Sequence, residues 1–188
     1  MTKVINIYGA SSTGKSTTAA MLYAYFKNKC VESEICKESV KAWAFEGRPI
    51  TAMDQYYIAG KEIYHVERLI NKVQVVVCDC PIMQGIYYLH KMREDLNFDS
   101  LGPMDPMIFD FIVEAEKLGV KFYDFLVERN QPFQPIGRYQ TESESKQDQI
   151  DIKRFLWQPA RAKYLNLHYI PGDRDERLKK IIDIVESA

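Results

Sequence analysis

The residues best equipped for chemistry are Gly9-Ala10-Ser11-Ser12-Thr13-Gly14-Lys15-Ser16-Thr17. They satisfy G-x-x-x-x-G-K-[ST] at every required position, the pattern of a loop that cradles phosphate groups. At Gly9 and Gly14 the backbone can adopt conformations closed to residues with a Cβ. The amides of Ser11, Ser12 and Thr13 can then turn inward toward phosphate oxygens. Lys15 would reach the β and γ phosphates of ATP, and Ser16 would ligate Mg²⁺. Thr17 would add a hydroxyl near the α phosphate. A helix beginning near Lys15 would point its positive end at the same anion.

A second chemical group closes the apolar run Gln74-Val75-Val76-Val77-Cys78-Asp79. A β-branched run of this kind reads as a buried parallel strand presenting a carboxylate. Asp79 would hold Mg²⁺ beside Ser16, directly or through water. Glu38 follows a shorter strand, and ligands of open α/β sheets gather at the carboxyl ends of strands. It reads either as a carboxylate facing an acceptor substrate or as a solvated charge. Glu38 is preferred over Asp79 as the proton acceptor, because the metal occupies Asp79. Gln55 or Tyr57 could meet a base-like ring, or be ordinary surface and core. Arg129 and Arg138 flank a segment punctuated by Pro132, Pro135 and Gly137. Either arginine could swing onto a transferring phosphoryl group from a lid over about 129–146, the alternative being an ordinary surface loop.

The elements that must position these groups follow from periodicity. Lys3–Tyr8 reads as a buried strand. Ala19, Leu22, Tyr23 and Phe26 then recur at i, i+3, i+4 and i+7, one face of a helix. Ser33–Lys37 reads as a second strand, and Gly47-Arg48-Pro49 as a turn. A long helix is expected from about Thr51 to Lys72, with Ala59, Ile63, Val66 and Ile70 on one face. After the strand ending at Asp79, Pro81 changes direction and a helix spans Ile82–Met92. A loop over 97–106 leads to a helix begun by Pro106 and stopped by Gly119. Lys121–Glu128 is the fourth strand. Thr141 opens a polar-capped helix that Pro159 must bend or end. Asn166–Ile170 is the fifth strand, and the last helix buries Leu178, Ile181, Ile182 and Val185. Internal repeats and low-complexity tracts are absent.

A chain of 188 residues suits a single domain with a mobile lid. Its 25 basic and 26 acidic residues nearly balance. That argues against a large nucleic-acid surface, while leaving room for a local basic channel. Cys30, Cys36, Cys78 and Cys80 form no C-x₂-C pair, so buried thiols are expected rather than a zinc site or disulfides. With no signal peptide and no run of about 18 apolar residues, the expectation is a soluble, cytoplasmic protein.

Taken together, these residues resemble the nicotinamide riboside kinase domain of bacterial NAD-biosynthesis regulators and its phage and bacterial relatives of the AAA-like ATPase type. The likeness rests on the phosphate loop, on Glu38 with Trp43 and Phe45, on Asp54-Gln55-Tyr56-Tyr57-Ile58-Ala59-Gly60 leading to Asp79, and on the 129–138 segment. The turn Gly172-Asp173-Arg174 looks like the family's adenine-side segment, which would place Arg174 near the base of ATP. Two departures stand out: Asp79-Cys80-Pro81 replaces an Asp-x-Asp pattern, and Lys41 stands near where an arginine is common. The resemblance implies a three-layer α/β fold, with five parallel strands in the order 2-3-1-4-5. It further implies an ATP- and Mg²⁺-dependent kinase acting on a nucleoside- or nucleotide-like acceptor. A kinase acting on DNA or on a modified base in DNA is a second expectation, and a non-kinase ATP-binding switch a third. Neither the acceptor nor the oligomeric state follows from the sequence, a homodimer being one outcome left open.

Overall fold

A computed structural model describes residues 1–38, 40–96 and 104–187. The first half of the chain runs β1 (Lys3–Tyr8), α1 (Lys15–Asn28), β2 (Ser33–Cys36), α2 (Val40–Phe45), α3 (Ala52–Glu67), β3 (Val75–Cys78) and α4 (Ile82–Leu96). The second half runs α5 (Asp105–Lys117), β4 (Lys121–Val127), α6 (Glu142–Leu156), α7 (Pro159–Ala162), β5 (Leu167–Ile170) and α8 (Arg174–Glu186). The strands form one sheet in the order β2-β3-β1-β4-β5. Every pairing is parallel, with Lys3 opposite both Val75 and Lys121.

Each strand of a parallel sheet sends alternate side chains to opposite faces, and both faces must be covered. Val4 and Tyr8 of β1 pack with Val66, Met83, Ile86, Ile108 and Ile152 on one side. Ile5 and Ile7 pack with Leu22, Phe26, Ile181 and Val185 on the other. Helices α3 to α6 thus lie on one face and α1 with α8 on the other. Asn6 shares the first face with a buried carboxylate, Asp124. Asn6 Nδ2 and the Tyr8 hydroxyl donate to Asp124 Oδ1 at 2.9 and 3.0 Å, and the Asn166 amide donates to Oδ2 at 3.0 Å. Burial pushes the Asp124 carboxyl up, and these donors partly offset it.

Among the described residues, three helices begin with reciprocal capping, Thr51 with Asp54, Thr141 with Glu144 and Asp173 with Glu176. Each cap satisfies otherwise orphaned amides and is worth about 1 kcal/mol. Helix α3 stops at Glu67 rather than continuing to Lys72. Leu69 and Ile70 donate three residues back, to Val66 and Glu67, tightening the chain into turns. Asn71 then takes a left-handed conformation (φ 59°), and its amide donates to the Thr2 hydroxyl at 2.9 Å. Helix α4 runs past Met92 to Leu96. The short α2 has no counterpart in the periodicity, because none of its residues is buried. On α1 the buried line is Thr18, Ala19, Leu22 and Phe26, with Tyr23 half-buried. The expected loop over 97–106 lies outside the described residues as far as 103. No helix among the described residues is long and apolar enough to cross a membrane.

Candidate nucleotide and acceptor site

The phosphate loop leaves β1 at Tyr8 and enters α1 at Lys15. Its shape requires glycine at position 9. There φ is 148°, and a Cβ would meet Thr13 Oγ1 at 2.8 Å and the Val127 carbonyl at 3.1 Å. Ser12 holds φ at 61°, rare for a residue with a side chain. Its Oγ accepts from the Gln134 amide at 3.0 Å. Lys15 is buried and donates from Nζ to the Ala10 carbonyl at 2.9 Å, lying back across its own loop.

Side chains that the sequence reading did not single out hold this loop. Gln84, near the start of α4, donates to the Gly9 carbonyl and accepts from the Gly9 amide, at 3.1 and 3.2 Å. Gln149 of α6 accepts from the Ala10 amide at 2.8 Å and donates to Val127 O at 2.9 Å. Ser145 donates to the Ser11 carbonyl at 2.6 Å. Arg177 of α8 is almost fully buried and donates to the carbonyls of Thr13 and Glu128. The one available signal was polar residues on otherwise apolar faces. Gln84 sits in a run from Pro81 to Tyr87 that is buried throughout.

A cavity of about 320 Å³ opens beside the loop. Its floor is Ser11, Ser12, Gly14, Lys15, Ser16 and Thr17. Glu38 and Lys41 line one wall. Gln55 and Ile58 from α3, with Tyr88 and Met92 from α4, line a second. Gln131, Gln134, Arg138 and Tyr139 lie over it. This volume is at the low end for small-molecule sites.

The sequence-predicted groups separate on this map. Glu38, Lys15, Ser16 and Arg138 meet in the cavity. Arg138 Nε is buried without a hydrogen-bond partner among the described residues. Arg129 goes elsewhere: its Nη2 donates to the Ser11 carbonyl and to Ser145 Oγ, and its guanidinium lies 5.3 Å from the Phe133 ring centroid. Arg174 is not among the described residues that line the cavity; its Nη2 donates to Gln131 Oε1, which is, at 3.0 Å. Gln55 is buried, and its amide nitrogen contacts the Met92 sulfur at 3.6 Å. Tyr57 points outward, stacked on Trp43.

Asp79 is buried at the end of β3, with Oδ1 unpartnered among the described residues. A hydroxyl at Ser16 and an orphaned carboxylate oxygen at Asp79 are hard donors of the kind Mg²⁺ takes, with substrate phosphates completing its shell. The chemistry of these two donors fits that ion, although Asp79 is not among the described residues that line the cavity.

Glu62, one turn beyond Ile58 on α3, lies behind the second wall. Burial, reinforced by the charges of Glu38, Cys36 and Asp79, pushes its carboxyl up to about 8 against an opposing hydrogen bond with Cys80. Burial also pushes the Cys80 thiol up, which makes it a poor nucleophile.

A family model described as AAA domain matches residues 4–101, just over half of the chain. The chain belongs to that family. The matched part of this AAA domain holds the phosphate loop, Glu38, Gln55, Glu62 and Asp79. No curated protein matches its sequence. Solved structures do resemble its fold. A deoxyadenosine kinase from M. mycoides superposes with a TM-score of 0.63 at 12% identity, over 99% of this chain and 100% of that one. Thymidylate kinase from Candida albicans gives 0.53 at 13% identity, over 99% and 92%. The Mycobacterium tuberculosis APS kinase gives 0.51 at 12% identity, over 98% and 97%. At such identities the likeness is one of fold: the chain has the five-stranded parallel sheet of P-loop kinases.

Proposed function

We propose that the chain is an ATP- and Mg²⁺-dependent phosphotransferase acting on a nucleoside- or nucleotide-like acceptor. One observation carries this reading: a single cavity unites the phosphate loop with an acidic wall at Glu38, an amide at Gln55 and a cation at Arg138. Gln55 can offer a donor and an acceptor to the edge of a planar ring, and Ile58, Tyr88 and Met92 supply apolar contact.

In the reaction, an acceptor oxygen attacks the γ phosphorus as the bond to the β-phosphate oxygen breaks. Glu38 takes the acceptor's proton. Lys15 leaves Ala10 to neutralise the β and γ phosphates, and Arg138 meets the charge on the transferring group. Arg129 instead fixes the phosphate loop from behind. Bound Mg²⁺, held by Ser16 and Asp79, would neutralise developing charge on the phosphates. The segment around 129–146 acts as the lid. It touches α2 and the turn after it, where Tyr139 donates to the Arg48 carbonyl at 2.6 Å and Gly137 lies against the Phe45 ring. A Cβ at Gly137 would come within 2.7 Å of that ring. The finer likeness to nicotinamide riboside kinase domains rests on sequence motifs alone.

The test is an acceptor screen. Purified protein and labelled ATP meet nicotinamide riboside, nucleosides, nucleoside monophosphates and DNA, with products identified by mass spectrometry. A phosphorylated acceptor is expected, lost in Lys15→Ala. ATP consumption that no acceptor stimulates would replace a kinase with an ATPase switch.

A further inference from the structure

The solvent face of α3 carries a pattern that the cavity does not use. Tyr57, Lys61, Tyr64 and Arg68 recur at i, i+4, i+7 and i+11, one face of a helix. Aromatic ring and cation therefore alternate over about 16 Å. The two tyrosines are 57% and 59% exposed. Lys61 Nζ lies 5.9 Å from the Tyr57 ring centroid, and the Arg68 guanidinium 5.9 Å from that of Tyr64. Neither cation has an ion-pair partner among the described residues.

The stripe leads to the cavity mouth. Trp43 stacks on Tyr57 with centroids 5.9 Å apart and planes at 21°, and the Arg48 guanidinium sits 3.8 Å from the Trp43 ring centroid. Trp43 belongs to the same short helix that gives Lys41 and Ala44 to the cavity lining. Of the carboxylates on α2, α3 and the turn between them, Asp54 is held by Arg48 and Thr51 and Glu62 is buried. Glu46 and Glu67 remain, against Lys41, Lys61 and Arg68.

The core does not require these rings. The opposite face of α3 already buries Gln55, Ile58, Ala59, Glu62 and Val66. The geometry points to a single-stranded nucleic acid as the occupant of the outer face, one of whose nucleotides enters the cavity. Rings that alternate with cations suit bases that stack and phosphates that need neutralising. A protein interface favours a dry apolar centre depleted in lysine, which this open stripe lacks. The balanced overall charge is no obstacle, because Lys61 and Arg68 stand on the stripe itself with no ion pair among the described residues. That a nucleotide enters the cavity rests on the phosphotransfer reading; binding along the stripe does not.

The experiment uses the full chain and a fluorescein-labelled oligothymidylate of about ten residues, without ATP, followed by anisotropy across a salt series. Binding should weaken with salt, with a log–log slope of about −0.7 for each phosphate contact. Tyr64→Ala should weaken binding about 5- to 100-fold, and Lys61→Glu should flatten the slope by about one contact. Both variants should retain wild-type ATP affinity and melting temperature, since neither side chain lines the cavity. Three results would overturn the proposal: no oligonucleotide binding at low salt; binding indifferent to both substitutions; or a wild-type dimer that Tyr64→Ala dissociates in sedimentation, which gives the face to a second copy. A failed acceptor screen with intact oligonucleotide binding would instead remove only the phosphotransfer reading.

Discussion

Arg177, on the last helix of the chain, donates from Nη1 to the carbonyl of Thr13 at 2.9 Å, so the C-terminal element holds the phosphate loop near the N-terminus. Burial lowers the tendency of this guanidinium to hold its proton, while Glu128, Asp173 and Tyr169 oppose that effect. Arginine keeps its charge regardless. Arg177→Met should leave the Thr13 and Glu128 carbonyls without their charged donor. The expected loss is about 2–4 kcal/mol of stability, with weaker ATP binding. Thermal denaturation and nucleotide titration check both, and an unchanged melting temperature would refute the role.

The two arginines of the lid should behave differently. Arg138→Ala is expected to cut kcat by about 10²-fold or more with little change in melting temperature, because Arg138 faces the cavity. Arg129→Ala should lower the melting temperature, because it withdraws a donor from Ser11 and Ser145. Side-by-side steady-state kinetics and calorimetry separate the cases. The reverse pattern would exchange their roles.

Glu38→Gln keeps the shape of the side chain and removes its basicity. Turnover should fall by about 10²–10⁴-fold while ATP affinity stays near wild type. A wild-type rate would remove Glu38 as the proton acceptor.

Glu62 predicts a pH dependence of stability. Its carboxyl moves from the ordinary 4.5 in an exposed chain to about 8 in the fold. Between those values the folded protein binds more protons than the unfolded one. The stability this group contributes is therefore complete below about pH 4.5 and is lost as pH rises through 8. The full loss is roughly 5 kcal/mol, since a tenfold change in proton affinity corresponds to about 1.4 kcal/mol. Glu62→Gln imitates the protonated acid, and should flatten the fall in melting temperature between about pH 5 and 8. A variant as pH-sensitive as the wild type would refute the assignment.

The sequence by itself determined the parts that depend on local rules. Runs bounded by turns placed all five strands to within a residue or two. The central β1, β3 and β4 stand out because a buried parallel strand must be apolar on both faces, whereas the edge strands β2 and β5 leave Glu34, His168 and Tyr169 only partly covered. Gly9, Gly14, Lys15 and Ser16 were legible because a phosphate loop needs those residue types at that spacing. The strand order came from family resemblance, and the sheet shows it.

Only the tertiary structure decided the rest. Arg129 and Arg138 are alike in sequence, and just one faces the cavity. Which one depends on how the segment after β4 folds against Ser145 and Phe45, contacts that cross long stretches of chain. Gln84, Gln149 and Arg177 are ordinary helix residues until packing brings them to the phosphate loop. Glu62 is one more charged residue on a long helix until the packing of α3 beside β2 and β3 turns it inward. Periodicity records which face of a helix is apolar, whereas the partner of a buried polar group is set by elements far away in the chain.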